Sequence, residues 1–242
     1  MSEAHTLPFE ITPQPTETTC GAAALQSVYR FWGRKVTVER AIREIEHFPD
    51  GGTWAVHLGR DALARGFAAR IYTCDLQLFD PSWFWPGAGD LADSLRRQLD
   101  AGSRAPREDE QLRAYLDFLE RGGEVRMEEI GTDLVSRYVR GGMPVVAGLS
   151  STWLYRSARE RWEGERSVAD DLRGTPTGHF VVVHGVDPRR RTFDIADPFL
   201  QRPFPGRHDY SIPIRRFFNA LMLGVVTNDA KLLAIRPADR EA

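Results

Sequence analysis

An α+β fold, with N-terminal helices packed on a C-terminal antiparallel sheet, is what the sequence predicts, and three observations predict it. Apolar residues recur at helical spacing near the start of the chain. Valine-rich runs bounded by turn residues dominate its end. Between them, the stretches at about 81–129 and 151–177 are polar or charged and read as helical insertions. The 242 residues, 42% of them hydrophobic, suffice for one large two-layer domain spanning 1–242.

Each element follows from local chemistry. Residues 1–17 are expected to be extended, because Pro8, Pro13 and Pro15 would break a helix repeatedly. Thr18 and Thr19 offer caps for a helix that begins at or beside Cys20 and stops at Gly33, with Leu25, Val28 and Trp32 as its apolar stripe. A second helix is predicted over Val38 to Glu46. After the turn at Gly51, Gly52 and Thr53 comes a third, Trp54 to Arg65, then the strand FAARIYT. LADSLRRQLDAG, EDEQLRAYLDFLERGG and Glu128 to Arg140 read as further helices, and PVVAGLS as a buried strand. Thr152 to Thr175 is highly charged and fits helix or loop. HFVVVHGV, TFDIADP, GVVTN and KLLAIRP are strand-like.

Composition removes several classes of function. Basic and acidic residues number 32 and 34 and are well mixed, so no broad basic field exists to neutralise phosphates, and nucleic acid is not expected as a partner. The start lacks a basic region followed by an apolar one, and no run reaches the 18 or so apolar residues of a spanning helix. A cytoplasmic protein without a membrane span is expected. Two cysteines, Cys20 and Cys74, form neither a disulfide framework nor a zinc spacing, and the histidines show no metal-ligating pattern. No metal and no cofactor are expected.

The chemistry-bearing residues lie at opposite ends of the chain. A thiol attacks only as thiolate, and a helix N-terminus stabilises that anion; Cys20 sits at such a start, after the polar run TETT. Gln14, six residues earlier, can present a side-chain amide to the oxyanion that forms when sulfur attacks a carbonyl, with the Cys20 backbone N–H as second donor. The mechanism also needs an imidazole and a group that fixes its tautomer. His179 opens one strand of a predicted hairpin and Asp197 ends the other. If Asp187 pairs with Arg191 around a three-residue loop, Asp197 lies opposite Val181, on the face of His179 and diagonal to it. A loop of even length would turn Asp197 to the other face unless a bulge corrected it. His184, five residues beyond His179, points away.

Together, QPTETTCGAAALQSVYRFWG, GGTWAVHLGRDALARGF, GMPVVAGL, HFVVVHGVD and DIADP resemble the papain-like cysteine peptidases, most closely the bacterial double-glycine (bacteriocin) leader peptidases. The resemblance implies a papain-like fold with Cys20 as nucleophile, Gln14 in the oxyanion hole, His179 as general base and acid, and Asp197 as third member. It implies a peptide or protein as the substrate partner. Three readings of function follow: a cysteine peptidase acting on a peptide or isopeptide bond through a thioester, an acyltransferase or transglutaminase-like enzyme on the same site, or a non-catalytic peptide-binding module. Of the six tryptophans, Trp54 and Trp153 are the candidates to line a substrate groove.

Overall fold

The computed structural model describes residues 3–49, 51–102, 105–164, 166–199 and 207–239. An extended start carrying the short strand β1 (His5–Thr6) leads to helices α1 (Cys20–Phe31), α2 (Val38–Glu44) and α3 (Ala55–Ala64). Strand β2 (Phe67–Thr73) follows, then α4 (Leu91–Ala101), α5 (Pro106–Glu120), β3 (Glu124–Arg126), α6 (Thr132–Arg140) and β4 (Val145–Ser150). The remainder is α7 (Ser151–Tyr155), β5 (Glu160–Glu163), β6 (Arg166–Ala169), β7 (Gly178–Asp187), β8 (Thr192–Ala196), β9 (Asp209–Pro213), α8 (Ile214–Leu223) and β10 (Lys231–Pro237). The fold is α+β, as the element order predicts.

The main sheet runs β3-β2-β10-β4-β7-β8-β9, with β1 against the far end of β7. Its pairs are antiparallel except β2 with β3. The sheet therefore draws two strands from the first half of the chain as well as those predicted near the C-terminus. It is covered on both faces, where two layers were expected. On one face Val146, Phe180 and Val182 pack with Leu25 and Val28 of α1, Leu58 of α3, and Leu112, Tyr115 and Phe118 of α5. On the other, Val145, Ala147, Leu149, Val181 and Val183 pack with Leu134, Val135 and Val139 of α6 and Phe217 and Leu221 of α8. β4 and β7 are apolar at consecutive positions, so each face needs a cover of its own.

Both segments read as helical insertions differ from that expectation in an informative way. Residues 81–129 do form helices, but Leu95, Leu112, Tyr115 and Phe118 are built into the main core. Residues 151–177 contain only the short α7; the hairpin of β5 and β6 replaces the expected helix. Its Ser167 N–H donates to Glu17 Oε2 at 3.0 Å, which lays the hairpin beside the approach to Cys20.

The β7–β8 hairpin departs from the expected turn and reaches the expected register. Asp187 pairs with Thr192 around a four-residue loop, the even length that would misplace Asp197. Between Val183 and Gly185 the register shifts by one residue, so that Val183 pairs with Ile195 and Val182 with Ala196. His184 is the extra residue. Its carbonyl accepts from Leu7 N–H at 2.8 Å and its ring Nε2 lies 2.9 Å from Asp209 Oδ2, so neighbouring segments hold the bulge in place. The bulge returns Asp197 to the His179 face.

Candidate active site

α1 begins at Cys20, and its first-turn N–H groups have no intrahelical acceptor. Thr19 occupies the cap position but caps nothing with its side chain: its hydroxyl donates to Thr16 O and accepts from Thr16 N–H. The expected threonine cap is thus spent on the preceding turn, and the positive end of the helix is left to the thiol. Gly21 lets this end approach the sheet, since a Cβ there would lie 2.7 Å from Thr53 Cγ2 and 3.2 Å from the Phe180 ring.

His179 stands at the start of β7, paired with Leu149 of β4, and is buried. Its Nε2 lies 2.8 Å from Asp197 Oδ1. That leaves Nδ1 for the other side of the ring, and Cys20 is near enough for its thiol to act on the imidazole. Burial works against an imidazolium here, but the charges and hydrogen bonds of Asp197 and Cys20 outweigh it, and the His179 pKa is pushed up to about 10. Burial likewise opposes the Asp197 carboxylate, yet His179, Tyr210 and the Phe199 N–H hold its pKa below the ordinary value.

Asp197 is gripped on all sides. Oδ1 takes His179 and the Phe199 N–H at 3.0 Å; Oδ2 accepts from the hydroxyls of Tyr155 at 2.7 Å and Tyr210 at 2.6 Å. Its backbone N–H donates to His208 O at 2.7 Å. Tyr155 and Tyr210 come from α7 and β9, and nothing in the sequence marks either. One tyrosine lies in the charged stretch after β4, the other in a strand with no chemical motif around it.

Gln14 is buried beside this group, its N–H donating to Pro198 O at 2.8 Å. Its side-chain Nε2 donates to Thr16 O at 2.8 Å, which leaves one amide hydrogen, while Oε1 is buried without a partner among the described residues. The structure thus pairs His179 with Asp197 and ties Gln14 to Pro198, the residue after Asp197, while Cys20 acts on the His179 ring. Trp54 is not with them. Its ring is 3% exposed, edge-on to Phe48 at 4.5 Å and beneath Arg107, so it offers a substrate no surface. As the cap residue just before α3 it is drawn into the core that α3 covers. Trp153, on α7, is 41% exposed. Among the described residues no cluster of His, Cys, Asp or Glu has metal-binding geometry, and no helix is long and apolar enough to cross a membrane.

No protein-family model matches the sequence, and no curated protein sequence matches it. Among solved structures, the chain is similar to a protein described as a C39-like peptidase from Bacillus anthracis, at 14% identity over the whole of both chains with a TM-score of 0.54. It is also similar to a double-glycine motif protease from an AMS/PCAT transporter, at 14% identity over 97% of this chain and 95% of that one, TM-score 0.47. A third is xylellain, a cysteine protease from Xylella fastidiosa, at 16% identity over 98% and 87% of the chains, TM-score 0.46. The fold is that of the papain-like, C39-like peptidases.

Proposed function

We propose that this chain is a cysteine peptidase that cleaves a peptide or isopeptide bond through a thioester acyl-enzyme. What carries the proposal is the setting of His179: one ring nitrogen is 2.8 Å from the Asp197 carboxylate, and the thiol at the start of α1 is near enough to act on the same buried ring. A histidine needed only for packing has no use for a thiol at a helix N-terminus on one side and a clamped carboxylate on the other.

In this mechanism the Cys20 proton passes to His179 Nδ1 and the sulfur attacks the substrate carbonyl carbon. The oxyanion takes hydrogen bonds from the Cys20 N–H and the free amide hydrogen of Gln14. The C–N bond then breaks, the amine leaves with the proton held by His179, and the acyl group remains on sulfur. Water, deprotonated by the same imidazole, releases the acid and regenerates the thiol. Asp197 keeps the ring oriented and stabilises the imidazolium throughout.

Turnover of peptide substrates by the parent and by Cys20→Ala tests the proposal, with product masses measured in the presence and absence of added amines. The expected result is hydrolysed product from the parent alone, with no amine incorporated. Amine adducts as the main product assign the site to acyl transfer, and equal turnover by Cys20→Ala overturns it.

A further inference from the structure

His184 takes no part in the chemistry of the proposed mechanism, yet it touches three segments that present the reacting groups. It is buried at the bulge of β7, the strand that begins with His179. On one side its carbonyl accepts from the Leu7 N–H at 2.8 Å, its ring Nδ1 lies 3.3 Å from Leu7 O, and the Phe9 ring stacks on it with centroids 5.9 Å apart. That segment leads on to Gln14. On the other side its ring Nε2 lies 2.9 Å from Asp209 Oδ2 on β9. Asp209 pairs with Ala196, the residue before Asp197. His208, just ahead of Asp209, holds the Asp197 backbone at both ends: its carbonyl accepts from the Asp197 N–H at 2.7 Å and its Nδ1 lies 2.9 Å from Asp197 O.

The bulge by itself does not call for histidine. His184 is not among the residues with positive φ, so its backbone is open to any side chain, and the two contacts of the ring are what single histidine out. With a carbonyl on one nitrogen and a carboxylate on the other, both nitrogens are placed to donate, which only the imidazolium does. Burial opposes that charge, but Asp209, the Leu7 carbonyl and Asp194 of β8 outweigh it and hold the His184 pKa above its ordinary value. Asp194 is itself bound by the hydroxyls of Thr6 at 2.8 Å and Ser211 at 2.6 Å, from β1 and β9. The N-terminal segment, β7, β8 and β9 are thus fastened around one buried ring.

We propose that His184 is a positioning residue for the reaction: by tying the N-terminal segment, β7 and β9 together at one point, it fixes the geometry in which His179 meets Asp197. The proposal rests on the peptidase reading of the site. When the tie to Asp209 is lost, β9 and His208 are free to shift against β7, and the Asp197 carboxylate moves with them. The bond from Asp197 to His179 then weakens, the imidazolium is less well held, and the Cys20 thiolate that depends on it is less populated.

The rate of Cys20 alkylation by iodoacetamide against pH, followed by mass spectrometry on the fragment that contains Cys20, tests this in the parent, His184→Leu, Asp209→Ala and Ile71→Val. The last is a core change on β2, with β10 and β4 between it and β7. In the parent the midpoint is expected well below the value of about 8.5 of an ordinary thiol. His184→Leu and Asp209→Ala are each expected to raise it by about one pH unit, about a tenfold loss of thiolate below the midpoint, and Ile71→Val to leave it in place. Charge acting through space gives another pattern: one variant removes a positive group and the other a negative one, so their midpoints move in opposite directions. Opposite shifts, no shift in either variant, or an equal rise in Ile71→Val overturns the positioning role and leaves the peptidase reading standing. An ordinary thiol midpoint in the parent overturns both. The Asp209 side chain is 60% exposed, so Asp209→Ala is expected to fold, and the sign of its shift decides the matter even if His184→Leu does not.

Discussion

The Tyr210 hydroxyl donates to Asp197 Oδ2 at 2.6 Å, on the side of the carboxylate turned away from His179. With Tyr155 on the same oxygen, the carboxylate cannot rotate without breaking two hydrogen bonds. Tyr210→Phe keeps the ring and removes one donor to a buried charge, so it is expected to cost about 1.5–3 kcal/mol of stability. Denaturant unfolding measures that loss, and kcat is expected to fall with it while KM changes little. A variant as stable and active as the parent contradicts the clamp.

Asp197→Asn preserves shape and removes the charge that sustains the imidazolium. In the proposed mechanism kcat/KM falls by about 10²–10⁴, as expected when an orienting carboxylate is neutralised. Steady-state hydrolysis checks this, and a loss under threefold assigns Asp197 a structural role only.

Asp229 supplies a pH signature. Burial pushes its pKa up to about 7, so the folded state holds this proton more tightly than the unfolded chain does. Such a group favours folding most below the ordinary carboxyl value, and that advantage is lost as pH rises toward 7. Asparagine does not titrate, so the stability difference between Asp229→Asn and the parent is expected to move by about 2–4 kcal/mol toward the variant between pH 4 and pH 8. Urea titrations at the two pH values measure it; a difference that does not change with pH contradicts the assignment.

Lys231 and Asp75 form an ion pair in which both side chains are 1% exposed. Lys231→Met strands a buried carboxylate and is expected to cost about 3–5 kcal/mol, much of it recovered in the double variant with Asp75→Leu. A double variant no more stable than the single one contradicts the pairing.

The candidate site was legible in the sequence because the residues proposed to carry its chemistry have distinctive surroundings. Cys20 follows a polar run and opens an apolar helix; His179 and Asp197 end two strands of one hairpin. Strand parity selected His179 over His184, yet the parity held through a compensation the sequence does not display. The loop is one residue longer than expected, and the bulge at His184 cancels the difference. A bulge depends on what packs against it, here Leu7 and Asp209, and both are distant in sequence. Tyr155 and Tyr210 stayed hidden for a related reason: each acquires its place only through Asp197, which folding brings from another element. The β5–β6 hairpin escaped notice because its strands, ERWE and RSVA, are short, and the first is highly charged. Trp54 shows the converse, an aromatic next to a loop that the core claims.

Acid quenching during turnover of a peptide substrate, followed by proteolysis and mass spectrometry, tests the central claim most directly. An acyl group is expected on the fragment that contains Cys20 and none on the fragment that contains Cys74, with the adduct absent from His179→Ala. An acyl group found on any other residue, or steady hydrolysis with Cys20 unmodified throughout, contradicts it.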